Sequence, residues 1–332
     1  FLLIPFVSYI LFPFALVTVL FKFLNPIFTF LTLIMEKVAY YLSIVNFTKI
    51  IIPKTSIVFI IIYYTLLISF IYFNKKRYLV FLINLIIIIK IIHFLNTLAN
   101  IIFLDVSQGD SMLYITKNQS KVYMFDTGGI RNRSVSDNSL MYLKSLGISK
   151  IDYLILTHGD FDHCGDAENV INKFKVKNVI FNNDGFKPLE KNIINILNKK
   201  NILYYKSKDV SLPNITFLNT MLFDNENDNS IVTLINESGL RFLLMGDAGK
   251  DTENAIMNKY ILKDITILKV GHHGSITSST KTFINYIKPK FSIISVGKKN
   301  RFGHPNKEVL NNLKQSKVYR TDQDGSIMFK IK

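Results

Sequence analysis

Within six residues, His158-Gly159-Asp160-Phe161-Asp162-His163 places two imidazoles and two carboxylates in one short loop. The loop follows the apolar run 153–156, which reads as a buried strand. A core strand that delivers four potential ligands to one point is the arrangement expected of a metal site. An Asp-rich loop can also be an ordinary turn, and a histidine after a strand an ordinary surface residue, so the weight lies in recurrence. Gly246-Asp247 closes the apolar run 240–245, and Gly271-His272-His273-Gly274-Ser275 closes 265–270. Gly303-His304-Pro305 lies shortly after 291–296. Four strand ends thus hold five of the six histidines in the chain. Loops at strand ends are where α/β scaffolds hold their chemistry.

The elements that must position these residues follow from periodicity and turn chemistry. Runs 101–106 and 111–115, around Ser107-Gln108-Gly109-Asp110, read as a hairpin. A strand over 121–125 ends in Asp126-Thr127-Gly128-Gly129, and a helix over 137–146 stops at Gly147. The pattern then alternates: strand 151–156, helix 166–174, strand 176–181, helix 188–199, strand 202–206. A β-rich middle (214–223, 231–236, 240–245) leads to helix 249–260, strand 265–270, helix 279–287, strand 291–296, helix 306–314 and a last strand, 326–329. This order predicts an α/β protein with two sheets and helices outside them.

The 332 residues divide near residue 99. Residues 1–99 carry eight Lys and Arg and a single acid, Glu36, whereas 100–332 carry 32 basic and 23 acidic residues. A basic soluble part suits a polyanionic partner, although 34 of the 40 basic residues are Lys in a chain rich in Ile, Asn and Lys throughout. Residues 1–20 hold no charge and match the length of about 20 apolar residues that spans a bilayer. Residues 26–47 are apolar but carry Glu36-Lys37, which leaves an interfacial helix and a packed one both open. Runs 56–73 and 78–95 read as spans, separated by Lys75-Lys76-Arg77. The positive-inside rule puts that triplet in the cytoplasm and the part that follows on the outer side. The chain begins at Phe1 inside apolar sequence and reads as the carboxyl-terminal fragment of something longer.

Cys164 is the only cysteine, so an internal disulfide and a paired-cysteine metal site are both excluded. A small residue packed under the loop is the reading favoured over a ligand.

The pattern His158-x-Asp160-x-Asp162-His163 resembles the metal motif of the metallo-β-lactamase superfamily, with Asp160 where most members carry a histidine. The runs 104–110, 157–165, 243–247, 268–275, 300–305 and 319–325 together resemble the carboxyl-terminal domain of the DNA-internalisation competence proteins (the ComEC family). Ser107 and Asp166 stand where that family usually has Gly. The resemblance implies a metallo-β-lactamase αββα sandwich over 99–332, preceded by transmembrane helices over 1–98 that end a channel domain.

It also implies two divalent metal ions: His158 and Asp160 on the first, Asp162 and His163 on the second, Asp247 bridging, and His272 completing the second. His273 and His304 would contact substrate or replace His272. Asp126 would orient a histidine. At the position of a further family histidine this chain offers Asp228-Asn229-Ser230, which implies a more open first site. An aspartate in place of an imidazole favours manganese or magnesium over zinc.

The implied activity is that of a membrane-anchored nuclease that hydrolyses phosphodiesters and degrades the strand not taken up during transformation. Asp162, His163 and Asp247 would act in catalysis. Lys269, His273, Ser275 and His304 would bind DNA phosphates, alongside the lipid bilayer and the uptake machinery as partners. Thr277, Ser278 and Ser279 read either as phosphate contacts or as caps of the next helix. A DNA-guiding domain without essential cleavage, or a hydrolase of another ester, are the alternatives.

Overall fold

The computed structural model describes residues 6–44 and 97–331, except 132, 133 and 219, together with scattered positions between 57 and 85. Two compact units are present, Phe1–Ile52 and Pro53–Lys332.

In the first unit a π-helical stretch, Val7–Leu11, runs into helix α1 (Phe12–Leu20). The chain turns at Phe21 (φ −120°, ψ 78°), and α2 (Asn25–Ile44) follows a single 3-10 turn. Leu11 is buried, but Tyr9, Val19, Leu20 and Phe23 are each more than 70% exposed, so this unit leaves much of its apolar surface uncovered by its own described residues. Glu36 and Lys37 sit exposed in the middle of α2. Among the described residues no helix is long and apolar enough to cross a membrane. The expected spans 56–73 and 78–95 lie outside the described residues, apart from scattered positions.

The second unit holds two mixed sheets. The first has strand order β13-β1-β2-β3-β4-β5-β6: β1 (Ala99–Phe103), β2 (Met112–Ile115), β3 (Val122–Phe125), β4 (Lys150–Ile155), β5 (Lys175–Phe181), β6 (Leu203–Lys206) and β13 (Ile327–Ile331). The second has order β12-β11-β10-β9-β8-β7: β7 (Ile215–Phe217), β8 (Thr233–Glu237), β9 (Leu240–Leu244), β10 (Ile267–Lys269), β11 (Phe291–Ile294) and β12 (Lys317–Arg320). Pairing is antiparallel from β13 to β3 and parallel from β3 to β6; in the other sheet it is antiparallel from β7 to β9 and parallel from β9 to β12. The helices are α3 (Ser136–Ser145), α4 (Phe161–Cys164), α5 (Ala167–Lys173), α6 (Pro188–Lys199), α7 (Lys250–Lys259), α8 (Lys281–Ile287), α9 (Lys307–Asn312) and α10 (Thr321–Asp324).

Most strand residues are apolar, and the two-residue period of a strand divides them between two layers. Along β2, Met112 and Tyr114 join the cluster between the sheets, with Ile101, Phe103, Phe242, Ile267 and Ile293. Leu113 and Ile115 face the other way and pack with Leu140 and Leu143 of α3, Val170 of α5 and Leu197 of α6. On the far side Leu243, Leu268 and Ile294 meet Ile256 of α7, Phe283 of α8 and Val309 of α9. Helix, sheet, sheet and helix are the four layers, as the sequence predicts.

Several elements depart from expectation. The expected strand over 214–223 is confined to Ile215–Phe217, and β12 was not expected. None of Thr277, Ser278 and Ser279 caps α8: Thr280 does, its hydroxyl accepting from Phe283 N at 3.3 Å.

Candidate metal centre

The loop after β4 is pinned from below before any ligand is placed. Asp126, at the end of β3 with φ +51°, accepts from Thr157 N (2.8 Å) and from the Thr157 hydroxyl (2.7 Å). The chain then makes the helical turn α4. Its carbonyls accept from the two neighbouring loops: Thr127 N to His163 O, 2.7 Å, and Asp110 N to Asp162 O, 3.1 Å. These approaches require glycine. A Cβ on Gly109, whose φ is +125°, would lie 2.2 Å from Asp162 O, and one on Gly129 would lie 2.0 Å from Phe161 O. From the second sheet, Ile231 N reaches Thr157 O at 3.0 Å, which joins the strand ends of both sheets at one edge.

Three imidazoles meet there. His158, His163 and His273 are all at most 2% exposed. Each has its Nδ1 engaged. The His163 Nδ1–H donates to Asp126 Oδ2 at 2.8 Å, and the His273 Nδ1–H donates to Ser295 O at 2.9 Å. His158 Nδ1 lies 3.1 Å from Thr157 Oγ1 and 3.3 Å from Ser230 Oγ. The Thr157 proton is committed to Asp126, so this oxygen accepts from the imidazole. All three Nε2 atoms are left buried without a hydrogen-bond partner, as is Asp247 Oδ1. Buried polar atoms are normally satisfied, and four orphans at one point mark a place for a ligand.

The donor set fits a metal ion. His163 Nε2 lies 3.2 Å from Asp247 Oδ1, and His273 Nε2 lies 3.3 Å from Asp162 Oδ2 and 3.6 Å from Asp247 Oδ2. Bonds of about 2.1 Å give ligand–ligand edges of about 3.0–3.4 Å in tetrahedral or octahedral coordination. The sets His158, His163, Asp247 and Asp162, His163, His273 each bring their ligand atoms within 4.8 Å of one another.

Charge follows the same geometry. Burial pushes the His163 imidazole down, but the Asp247 and Asp126 carboxylates outweigh it and hold it well above the usual range. Burial pushes Asp247 up, and His163 and His273 outweigh it and hold the carboxylate well below its usual value. Asp162 is likewise lowered by His273 and His163 against burial.

Other expected residues stand at the rim or in supporting roles. Asp160, half exposed, has Oδ2 3.6 Å from His158 Nε2 and lies outside the tight sets. His272 is one quarter exposed; its Nε2 is 3.8 Å from Asp247 Oδ2 and its Nδ1 is 3.1 Å from Thr277 Oγ1. Its ring centre is 5.9 Å from that of His304, which in turn stacks on Phe302 at 5.8 Å. Lys269 differs from the expected phosphate contact: it is 4% exposed, with its ammonium on the Asp110 carboxylate and on Gly246 O. The alternation of β10 explains this, because Lys269 shares the inward face with Ile267. Ser275 is 5% exposed and accepts from the Thr277 hydroxyl at 3.1 Å. Cys164 is fully buried under the loop, its thiol pushed up by burial. Asp228 accepts from Gly249 N at 2.9 Å ahead of α7 and belongs to none of the sets that could hold a metal, while Ser230, two residues on, also accepts from Asp247 N at 3.1 Å.

Sequence reasoning gave no role to Asp110, Thr157 and Ser295, and it met Ser230 only as part of Asp228-Asn229-Ser230, at the position of a further family histidine. Asp110 gave a signal as a carboxylate at the close of a Gly-containing turn. Ser107, where glycine is the family habit, has φ +67°, and the Asp166 carboxylate accepts from Val135 N (2.6 Å) and Ser136 N (2.8 Å) at the start of α3.

A family model described as Metallo-beta-lactamase superfamily matches residues 104–298. ComE operon protein 3 of Bacillus subtilis is 32% identical over 262 residues, 72% of this chain and 34% of that protein. Competence protein ComA of Neisseria gonorrhoeae is 27% identical over 68% of this chain and 31% of its own length. Recombination protein 2 of Haemophilus influenzae is 30% identical over 68% of this chain and 28% of its own length. The chain thus spans about a third of the curated relatives it matches. The fold implies divalent metal ions, and the His/Asp cluster supplies the donors for them. The chain belongs to the metallo-β-lactamase superfamily, and its domain is of the type found in these competence-protein relatives.

Proposed function

We propose that residues 99–332 are a metal-dependent phosphodiesterase that cleaves DNA, held at a membrane by residues 1–98, and that the domain degrades the strand left behind during DNA uptake. The observation that carries this reading is the convergence of three buried, unpartnered Nε2 atoms on Asp247. The names of the competence relatives support the setting, and the basic balance of the domain supports a polyanionic substrate.

His158 and Asp160 would hold a first ion, Asp162, His163 and His273 a second, with Asp247 between them. Two divalent ions held by these residues would supply an acidified water and neutralise charge on the attacking and leaving oxygens. The protein's part is to fix the donors. Asp126 and Ser295 keep the Nδ1 protons of His163 and His273, so that both Nε2 lone pairs point inward. Lys269 neutralises Asp110, which keeps a further buried negative charge from competing at the cluster. His272 and His304, at the rim, are free for substrate oxygens. Three carboxylates among the six ligands favour manganese or magnesium over zinc; uptake of zinc alone from an equal mixture would count against that preference. The triplet Lys75-Lys76-Arg77 supports an extracytoplasmic domain.

The test uses the 332-residue chain stripped of metal, then given manganese, magnesium or zinc, with single- and double-stranded DNA followed on a gel. Metal-dependent cleavage that is lost in Asp162→Ala is the expected result. No cleavage with any ion, alongside intact metal binding, would overturn the nuclease.

A further inference from the structure

Beside the metal cluster lies an open cleft of about 670 Å³ with Asp162 in its wall. The cluster accounts for none of its other lining. Two phenylalanines border it, Phe161 at 44% and Phe302 at 55% exposure. Three cations line it too: Arg131, Lys299 and Arg301, all exposed. A single exposed phenylalanine is ordinary. Two on one cation-lined cleft, next to a candidate hydrolytic centre, form a pattern with its own chemistry.

The choice of cation is informative. The chain uses Lys for 34 of its 40 basic residues, yet two of the three cations here are Arg. Arginine grips phosphate with a planar fork and lies flat on aromatic rings, where lysine offers only a point charge. Arg301 does the second already: its guanidinium carbon is 5.1 Å from the centre of the Phe302 ring. His304 also stacks on this ring, at 5.8 Å, so an arriving base takes the place of the guanidinium on Phe302 and releases Arg301 to a phosphate.

The loop that carries this pair is held rigid at its base. Asn300 donates to Gly297 O (3.1 Å) and His304 O (2.8 Å) and accepts from His304 N (2.9 Å). Gly297 N donates to Gln108 at 3.3 Å, which ties the loop to the first sheet. Phe161 lies between the candidate ligands Asp160 and Asp162 on α4, so its place is fixed by the same bonds that fix them. A second hollow of about 420 Å³ shares Ile130 and Lys299 with the first and adds Lys298, together with the Asp105 carboxylate.

We propose that this cleft is a subsite for single-stranded DNA, with Phe302 and Phe161 as stacking platforms for unpaired bases and Arg131, Lys299 and Arg301 on the phosphates between them. The proposal rests on the phosphodiesterase reading and narrows it. A paired duplex hides its base faces, so these platforms act only on a strand that is already single. Every base has a π-face, so binding is indifferent to sequence. A base on Phe161 brings its adjoining phosphate to the ligands Asp160 and Asp162.

The test measures binding rather than cleavage, so that it survives failure of the nuclease reading. The 332-residue chain, kept metal-free with chelator, is titrated into three fluorescent probes: a thymidine 12-mer, an abasic strand of the same length, and a 12-base-pair duplex. Phe302→Ala is expected to weaken binding of the thymidine strand about tenfold or more and to leave the abasic strand unchanged, with Phe302→Trp restoring affinity. Arg301→Ala is expected to weaken both single strands and to reduce the salt slope by about one. Equal loss on thymidine and abasic strands, no loss on either, or a duplex bound as well as the single strand would each overturn the subsite. Base-dependent binding without cleavage by any ion would leave the subsite standing and sink the nuclease alone.

Discussion

His163 and His272 both present an Nε2 to Asp247, at 3.2 and 3.8 Å, yet they belong to differently built parts of the molecule. His163 is fully buried, and its Nδ1 proton rests on the Asp126 carboxylate. His272 is one quarter exposed, and its Nδ1 meets only the Thr277 hydroxyl. A carboxylate partner raises the basicity of the opposite nitrogen and fixes the ring; a hydroxyl does so far less. Burial also pushes His272 down, with Asp247 only partly offsetting it. The interior of the cluster is thus organised to hold cations, and the rim, from His272 through His304 to Phe302, is organised to meet what arrives from solvent.

That contrast can be broken at several depths. Asp247→Ala removes a fully buried carboxylate that lies 3.2 Å from His163 Nε2 and 3.6 Å from His273 Nε2, so the largest effect is expected there: loss of metal-dependent cleavage together with loss of bound metal by elemental analysis. Retained metal with lost cleavage would make Asp247 a catalytic group rather than a ligand. Lys269→Met should come next. It leaves the buried Asp110 carboxylate without its lysine, with only His273 and His163 Nδ1 at 3.5 and 3.9 Å, at a cost of about 3–5 kcal/mol, read as a lower melting temperature by circular dichroism. Pairing it with Asp110→Asn should recover most of the loss, and an unrecovered double variant would refute the ion-pair account.

Asp126→Ala should weaken metal affinity about 10–100-fold in competition with a chromogenic chelator. The matching change at the rim, Thr277→Ala, should leave affinity unchanged. Equal losses from the two would erase the distinction. The smallest effect on metal is expected from His304→Ala, which should raise KM for DNA without moving metal content.

The sequence showed the cluster well because strand ends announce themselves: an apolar run, a glycine, then His or Asp. The same logic gave the layers, since runs such as 240–245 are too uniformly apolar to lie anywhere but between covers. It failed where tertiary contacts decide. Lys269 is expected on DNA phosphates, but the period of β10 places it inward beside Ile267, where its ammonium meets the Asp110 carboxylate, 159 positions earlier, and Gly246 O. Ser295 and Ser230 act through a carbonyl and a hydroxyl on distant loops, and no residue type marks such roles in advance. β12 (Lys317–Arg320) is short, polar at both ends and only partly buried at an edge, so it carries no alternating pattern to read. The choice between His272 and His273 depended on which ring the turn 271–274 directs inward, where both residues have φ near +50°.

The most direct test of interior against rim counts metal ions per chain by native mass spectrometry, for the wild type, His273→Ala and His272→Ala after loading with manganese. The account predicts two ions in the wild type, two in His272→Ala and one in His273→Ala, because His273 is the buried donor facing Asp162 and Asp247. One ion in His272→Ala with two in His273→Ala would contradict it and move the second site out to the rim.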